Sequence, residues 1–178
     1  STATATPTAT PRTLMASPSA SVPNPMDLKH PAPEGADRKE MSPLSVSNKK
    51  LGTGFERKFA QFLSSNGFWV HLLTQNNSGQ PADVLAARKG QPFLIDCKVC
   101  QNGIFKIDRI EQNQETAMEH WSRCGNGEGW FALELPDGKV IMVDYDTMMC
   151  KALYKTVLSQ SEIIESGYLL EKWVNLWM

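Results

Sequence analysis

The chain has 178 residues, and 18 Lys and Arg stand against 19 Asp and Glu, which excludes the uniformly basic composition of a nucleic-acid coat protein. No apolar run approaches the ~18 residues of a membrane span, and the N-terminus lacks the apolar segment of a secretion signal. Four cysteines are too few for a disulfide scaffold. The composition therefore predicts one globular domain in a reducing compartment.

The first 44 residues differ from the rest of the chain. They hold eight of the 11 prolines and no aromatic residue, and they are rich in Ser, Thr and Ala. Such a segment buries too little apolar surface to offset chain entropy, so we predict a disordered tail over 1–44 and a folded domain over 45–178. Two alternatives are a translation start at Met41 and an organelle transit peptide, since the first 26 residues contain no acidic side chain.

Charge is segregated along the predicted domain. Residues 49–109 carry nine basic and four acidic side chains, whereas residues 110–178 carry five basic and 11 acidic ones. The first half can thus face a polyanion, although the same basic residues can equally be spread over a solvated surface. The candidates for phosphate contacts are Arg57, Lys58, Arg88, Lys89, Lys106 and Arg109.

Hydrophobic spacing predicts the first elements. An apolar face with helical spacing predicts a helix over about 53–66, which Thr53 caps and Asn66-Gly67 ends. The aromatic and branched segment 68–74 predicts a strand. The polar segment 75–80 that follows predicts a loop, which either contacts DNA phosphates or is only solvated.

The later elements predict a layered fold. Two strands, over 84–87 and 93–99, flank a tight turn at Lys89-Gly90, and Gly suits the backbone conformation of such a turn. Further along, the patterns predict a helix over 107–121, strands over 129–135 and 139–145, a helix from Asp144 or Asp146 to about 156, and a helix over 161–176. This order predicts an α/β fold with a mixed central sheet flanked by helices.

The hairpin brings ionisable side chains together. If Lys89 and Gly90 form the turn, Asp83 lies opposite Asp96 on one face of the sheet. Lys98, two residues past Asp96, shares that face, while Cys97 points to the other side. Like charges placed opposite each other are destabilising, so this arrangement indicates a bound cation or a functional requirement.

A divalent cation suits these residues. Mg²⁺ takes oxygen ligands, which Asp83, Asp96 and the carbonyl of Cys97 can supply, and Glu56 on the first helix can reach it directly or through water. We expect Mn²⁺ to substitute. Such a cation polarises a phosphate and activates a water, and Lys98 can orient or help deprotonate that water or stabilise the developing charge.

The same residues resemble the PD-(D/E)xK nuclease pattern. The match consists of Glu56, the segment Pro81-Ala82-Asp83 and the segment Asp96-Cys97-Lys98, in a helix–strand–hairpin–helix order. Within that superfamily the chain is most similar to RecU and the archaeal-type Holliday junction resolvases. The additional support comes from Gly54-Phe55-Glu56, Phe93-Leu94-Ile95, Asn113-Gln114 and Gly129-Trp130-Phe131.

The resemblance implies a restriction-endonuclease-like core and a Mg²⁺-dependent endonuclease that acts on branched DNA as a homodimer. It also implies that Glu56, Asp83 and Asp96 are metal ligands or support them, that Lys98 is the catalytic lysine, and that Gln114 contacts the site or the DNA backbone. Asp96 stands where RecU-like proteins usually have Glu, and the chain has no long insertion for a RecU-like stalk.

Three alternatives stay open at the level of sequence. The first is another nuclease of this fold that acts on linear or single-stranded DNA, and the second is a non-catalytic DNA-binding protein that assists recombination. The third is a zinc site at the Cys97-Lys98-Val99-Cys100 segment with Cys124 and Cys150. Positions 97 and 100 of a strand point to opposite faces, which favours buried free thiols over zinc.

Overall fold

The computed structural model describes residues 43–73 and 80–178, with side chains from residue 52 onward. These residues fall within one compact unit, Glu40–Met178. Met41, the tail predicted over 1–44 apart from its last two residues, and most of the loop predicted over 75–80 lie outside the described residues.

The described residues form five α-helices, one 3₁₀ turn and eight strands. Their bounds are α1 Pro43–Ser65, β1 Trp69–Leu72, β2 Val84–Arg88, β3 Gln91–Val99, β4 Ile104–Lys106, a 3₁₀ turn Ile107–Arg109, α2 Gln112–Arg123, β5 Trp130–Glu134, β6 Val140–Asp144, α3 Tyr145–Ala152, β7 Val157–Ser159, α4 Gln160–Ser166, β8 Tyr168–Leu169 and α5 Leu170–Leu176.

A six-stranded sheet in the order β1-β2-β3-β5-β6-β8 forms the centre, and β4 and β7 pair as a separate two-stranded sheet. Strand β3 runs antiparallel to β2 and parallel to β5, and the remaining pairs of the central sheet are antiparallel. This confirms the predicted α/β fold with a mixed sheet.

The two faces of the sheet carry separate hydrophobic clusters. Ile95 and Cys97 of β3 pack with residues of α1 and α5, including Phe59 and Trp173. Leu94 packs in the cluster on the other face, which includes side chains of α2, α3 and α4. Because side chains alternate along a strand, the even positions of β3 face α2.

The hairpin between β2 and β3 has the predicted register. Val84 pairs with Ile95 and Arg88 pairs with Gln91, which leaves Lys89 and Gly90 as the two turn residues. Both have positive φ angles, 48° and 80°, as the preferred two-residue hairpin turn requires. The turn and the register are therefore confirmed.

Two helix starts were predicted wrongly. Helix α1 begins at Pro43, so Thr53 lies inside the helix and does not cap it. Proline suits a first helical position, and the glycines at 52 and 54 weaken a helix by about 1 kcal/mol each without ending it. The helix predicted over 107–121 is interrupted, because the chain forms a 3₁₀ turn first and then extends at Ile110 before α2 begins.

The C-terminal helices also differ from the prediction. Asp144 caps α3 as predicted, since its carboxylate accepts a hydrogen bond from the Thr147 N–H, but α3 ends at Ala152. The helix predicted over 161–176 is broken at Gly167, whose backbone is extended. A Cβ atom at this position would overlap the carbonyl oxygen of Met142, so the close approach of the chain to β6 requires glycine there.

Candidate active site

Asp83 is fixed at the start of the hairpin. It directly precedes β2, and its N–H donates to the Ile95 carbonyl at 3.1 Å, so the pairing of the two strands extends to it. The carboxylate is buried. Its Oδ2 accepts from the Cys97 N–H at 2.6 Å, and its Oδ1 accepts from Gln80 Nε2. Asp83 therefore lies beside Asp96, as the register predicts.

Asp96 is a fully buried acid on the face of β3 that meets α2. Its Oδ1 accepts from Gln114 Nε2 at 2.7 Å, and its Oδ2 lies 2.8 Å from Lys98 Nζ. This ion pair is not aligned as a hydrogen bond, so Oδ2 has no hydrogen-bond partner. Burial, reinforced by the negative charge of Asp83 and opposed by Lys98, raises the pKa of Asp96 to about 7.

Gln114 contacts both Lys98 and Asp96. While its Nε2 holds Asp96, its Oε1 accepts from Lys98 Nζ at 3.1 Å and from the Glu111 N–H at 3.1 Å. Glu111 is the N-cap residue of α2, and the bond from its N–H to Gln114 is part of a capping box. The Gln114 side chain therefore caps the helix and also contacts Lys98 and Asp96. The structure thus places Gln114 against the predicted site.

Glu56 and Cys97 border this cluster. Burial and the nearby charge of Asp83 raise the pKa of Glu56, while Lys98 and Arg57 lower it. Burial and the neighbouring carboxylates raise the pKa of the Cys97 thiol, which lies on the face of α1. Glu56 therefore belongs to the electrostatic neighbourhood of the carboxylate pair although it comes from the opposite helical layer.

The carboxylate pair suits a divalent cation, but the predicted trio of acids does not form a ready-made cage. Among residues 52–73 and 80–178, no three His, Cys, Asp or Glu side chains are grouped closely enough to hold a metal ion. Asp96 is nevertheless a buried carboxylate beside a second one, and the Lys98 ammonium lies against its Oδ2. Mg²⁺ commonly uses one or two carboxylates and completes its shell with water and phosphate, so the residues fit it.

The zinc alternative has no support in this part of the chain. Cys97 and Cys100 are buried free thiols, and Cys124 and Cys150 are exposed. Among the described side chains, these cysteines do not form a group of three possible metal ligands with each other or with His, Asp or Glu. Since a structural zinc site needs four ligands, the buried thiols are packing residues.

The predicted phosphate contacts occupy three places. Arg57 and Lys58 are exposed on α1. Lys106 and Arg109 line a cleft of about 470 Å³ whose wall includes Cys97 and Val99.

Arg88 and Lys89 lie at the tip of the hairpin, on the order of 15 Å along the strand from Asp96. Arg88 donates to the carbonyl of Asn66 and covers the ring of Phe68, and Lys89 donates to the carbonyl of Met178. Lys106 and Arg109 thus share a cleft with Cys97, the residue between Asp96 and Lys98 in β3, although the Asp96 and Lys98 side chains lie on the other face of that strand.

Comparison with known proteins gives the family. The model of the archaeal Holliday junction resolvase family, Hjc, matches residues 47–176. This chain belongs to that family. Its members are structure-selective nucleases that resolve four-way DNA junctions with a divalent metal, so the prediction of a metal-dependent junction endonuclease is confirmed.

The fold agrees with this assignment. A solved structure of the Holliday junction resolvase Hjc from the hyperthermophilic archaeon Archaeoglobus fulgidus matches with a TM-score of 0.55 and 18% identity, covering 69% of this chain and 99% of that one. No curated protein matches the chain in sequence. Within residues 43–73 and 80–178, no helix is long and apolar enough to cross a membrane.

Two contacts at this candidate site carry no local sequence signal. Gln80 was expected only as a loop residue that contacts DNA or solvent, yet its amide bonds Asp83. Asn113 is part of the family pattern in the sequence, and in the structure its Nδ2 donates to the Gln80 carbonyl at 2.8 Å. The two partners are 33 positions apart in the chain, which explains why sequence spacing could not reveal the contact.

The raised pKa of Asp96 predicts how stability depends on pH in EDTA. The contribution of Asp96 to the free energy of unfolding is fully present below about pH 4, the pKa of an aspartate in the unfolded chain. It is lost as pH rises through about 7, the pKa of Asp96 in the folded protein. Asp96→Asn cannot ionise, so we expect its free energy of unfolding to exceed that of the wild type increasingly from about pH 5 to pH 8, by on the order of 2 kcal/mol.

Chemical denaturation at several pH values measures this difference. Asp137→Asn is the control, because Lys139 lowers the pKa of the exposed Asp137 and keeps its titration below this range. A difference between Asp96→Asn and the wild type that stays constant across the range would contradict the electrostatic account of the site.

Proposed function

We propose that this chain hydrolyses phosphodiester bonds of four-way DNA junctions with Mg²⁺, which Mn²⁺ can replace, and that it works as a homodimer. The observation that carries the proposal is the buried pair of carboxylates with a lysine and a glutamine bonded to one of them. Ordinary sheet packing gives no reason to place two acids side by side at the end of a hairpin. The residues of this constellation are Asp83, Asp96, Lys98 and Gln114.

Each residue has a separate task in the proposed reaction. Asp83 and Asp96 would hold the cation, with Glu56 contributing directly or through water and the Cys97 carbonyl as a further oxygen donor. When bound, the cation polarises the scissile phosphate and makes a water more acidic. The oxygen of this water would form one P–O bond as the bridging P–O bond to the leaving sugar oxygen breaks, and that sugar oxygen would take up a proton to leave as a hydroxyl.

Lys98 would orient the attacking water, help to deprotonate it, or stabilise the charge on the phosphoryl oxygens. Its Nζ lies 2.8 Å from Asp96 Oδ2 and 3.1 Å from Gln114 Oε1. These two contacts fix where the ammonium group points. Gln114 would therefore support the reaction by holding the Lys98 and Asp96 side chains in a fixed relative position.

The cleft lined by Cys97 and Val99 of β3 would receive the DNA backbone. Arg109 is held in place there, because its Nη1 donates to the Val99 carbonyl at 2.8 Å and its guanidinium covers the ring of Phe105. Lys106 directly follows Phe105 in β4, and its side chain is exposed. A fixed guanidinium and an exposed ammonium together suit adjacent phosphates.

Replacing both cleft cations should change the salt dependence of junction binding. Each phosphate contact contributes about −0.9 to the slope of log K against log salt, so Lys106→Gln with Arg109→Gln should reduce the slope by about 2. A fluorescence-anisotropy titration in Ca²⁺ at several salt concentrations measures it. An unchanged slope would remove the cleft from the DNA interface.

The paired replacement of Arg88 and Lys89 tests the hairpin tip in the same titration. Both side chains already contact backbone carbonyls of the protein, and Arg88 also covers Phe68. A slope equal to that of the wild type would remove these two residues from the interface. A reduced slope would extend the DNA path from the cleft to the tip of the hairpin.

We further propose that residues 45–178 form the nuclease domain and that two copies act on one junction. A junction has two symmetric strands to cut, and a two-fold dimer presents two equivalent sites. The proposed place of action is the cytoplasm of a bacterial or phage-infected cell, with an organelle as the alternative. Analytical ultracentrifugation with and without junction DNA tests the dimer.

Cleavage specificity tests the function itself. A labelled four-way junction, a linear duplex of the same sequence and a single strand are each incubated with Mg²⁺ or with EDTA. Paired symmetric cuts in the junction alone, absent in EDTA, are the expected result. Cutting of all three DNAs would favour a less selective nuclease, and binding without cutting would favour the accessory protein.

A further inference from the structure

The first turn of α2 contacts both buried acids by way of amide side chains. Gln114 bonds Asp96 Oδ1 directly, at 2.7 Å. Asn113, the neighbouring residue, bonds the Gln80 carbonyl at 2.8 Å, and the Gln80 amide bonds Asp83 Oδ1. The second set of contacts reaches the second acid through one intermediate residue.

Asp83 is held from two directions. The Cys97 N–H fixes Oδ2 from within the sheet at 2.6 Å, and Gln80 Nε2 fixes Oδ1 from outside it. A carboxylate held at only one oxygen can still rotate about its Cβ–Cγ bond, whereas one held at both has a defined plane. Each oxygen has more than one acceptor site, so these bonds leave room for a cation.

Gln80 requires a support of its own. It lies outside both β1 and β2, so no strand ladder fixes its backbone. The bond from Asn113 supplies a fixed point, because Asn113 is part of a regular helix whose next residue is anchored to Asp96. Through this contact α2 fixes the position of Gln80, which in turn bonds Asp83.

We propose that Asn113 and Gln80 form an amide relay that positions the Asp83 carboxylate to bind the divalent cation. Neither residue touches the reacting atoms, so both are positioning residues. The inference rests on the proposed function, in which Asp83 and Asp96 hold the cation. Groups that orient metal ligands typically change metal affinity 10–100-fold when they are removed, which sets the size of the effect.

The test measures Mn²⁺ binding to the full chain by isothermal titration calorimetry, without DNA. Gln80→Met keeps the length of the side chain and removes the amide, and Asn113→Ala removes the donor to Gln80. We expect each variant to raise the dissociation constant for Mn²⁺ about 10–100-fold. Gln112→Met, which removes an exposed amide from the same helix, is the matched control and should bind as the wild type does.

A double variant separates a relay from two independent effects. If Asn113 acts only through Gln80, the combination of Gln80→Met and Asn113→Ala should bind Mn²⁺ no more weakly than Gln80→Met alone. Losses that add in the double variant would overturn the relay. Thermal unfolding in EDTA establishes that each variant is folded, and Asn113→Ala, in a helix that alanine favours, decides the question if Gln80→Met does not fold.

Asp83→Asn distinguishes failure of the relay from failure of the metal site. Loss of Mn²⁺ binding in Asp83→Asn, with wild-type affinity in Gln80→Met and Asn113→Ala, would overturn the relay and leave the site intact. Wild-type affinity in Asp83→Asn itself would overturn the metal site, and the relay with it.

Discussion

Asp96→Asn is expected to lower the rate of junction cleavage by at least about 10³-fold at saturating Mg²⁺. The substitution keeps the shape of the side chain and removes the negative charge that would hold the cation. It also removes the ion-pair partner of Lys98, whose Nζ lies 2.8 Å from Asp96 Oδ2. Both the metal site and the position of the lysine are thus affected. Single-turnover cleavage of a labelled junction measures the rate.

Two control measurements show whether this loss is specific to the cleavage step. Junction binding in EDTA should persist in Asp96→Asn, because the residue is fully buried and cannot contact a phosphate from the surface. Asp137→Asn, in the exposed turn between β5 and β6, is the matched control and should cleave like the wild type. Cleavage by Asp96→Asn within tenfold of the wild-type rate would remove Asp96 from the catalytic site.

Lys98→Met is expected to reduce single-turnover cleavage by about 10²–10⁴-fold. Methionine replaces most of the aliphatic stem, so packing is largely kept while the ammonium group is lost. No other cation forms an ion pair with Asp96 among the described residues. The proposed reaction would therefore lack the group that orients water or stabilises charge on the phosphoryl oxygens.

The contrast with Lys106→Met separates catalysis from binding. Lys106 lies in the cleft with no place in the carboxylate cluster, so its loss should weaken junction affinity and leave the rate at saturating enzyme within a few fold. Lys98→Met should show the reverse, a low rate with retained affinity. If both variants lost affinity equally and cleaved normally at saturation, Lys98 would be a phosphate contact and not a catalytic residue.

The central part of the site could be predicted from the sequence because one turn determines it. A two-residue turn at Lys89-Gly90 fixes the register of the whole hairpin, and side chains alternate along each strand. Asp83, Asp96 and Lys98 therefore meet for reasons that are local to about 16 residues of chain. The structure confirms this register at every pair of β2 and β3.

The remaining features depend on contacts between distant segments. Strands β4 and β7 have three residues each and pair across some 50 residues of chain, and such short strands have no recognisable pattern. The break at Gly167 follows from its approach to β6, which helical periodicity does not reveal. Gln80 and Asn113 likewise meet only when α2 packs beside the hairpin. Local patterns therefore predict the acids, whereas the contact between Gln80 and Asn113 depends on tertiary packing.

The most direct test of the account is to locate the cation. Crystals of the full chain are grown with Mn²⁺, and its position is read from anomalous scattering. The account predicts a peak within coordination distance of both the Asp83 and Asp96 carboxylates, absent in crystals of Asp96→Asn. A peak at other residues that persists in Asp96→Asn, with none between the two carboxylates, would contradict it.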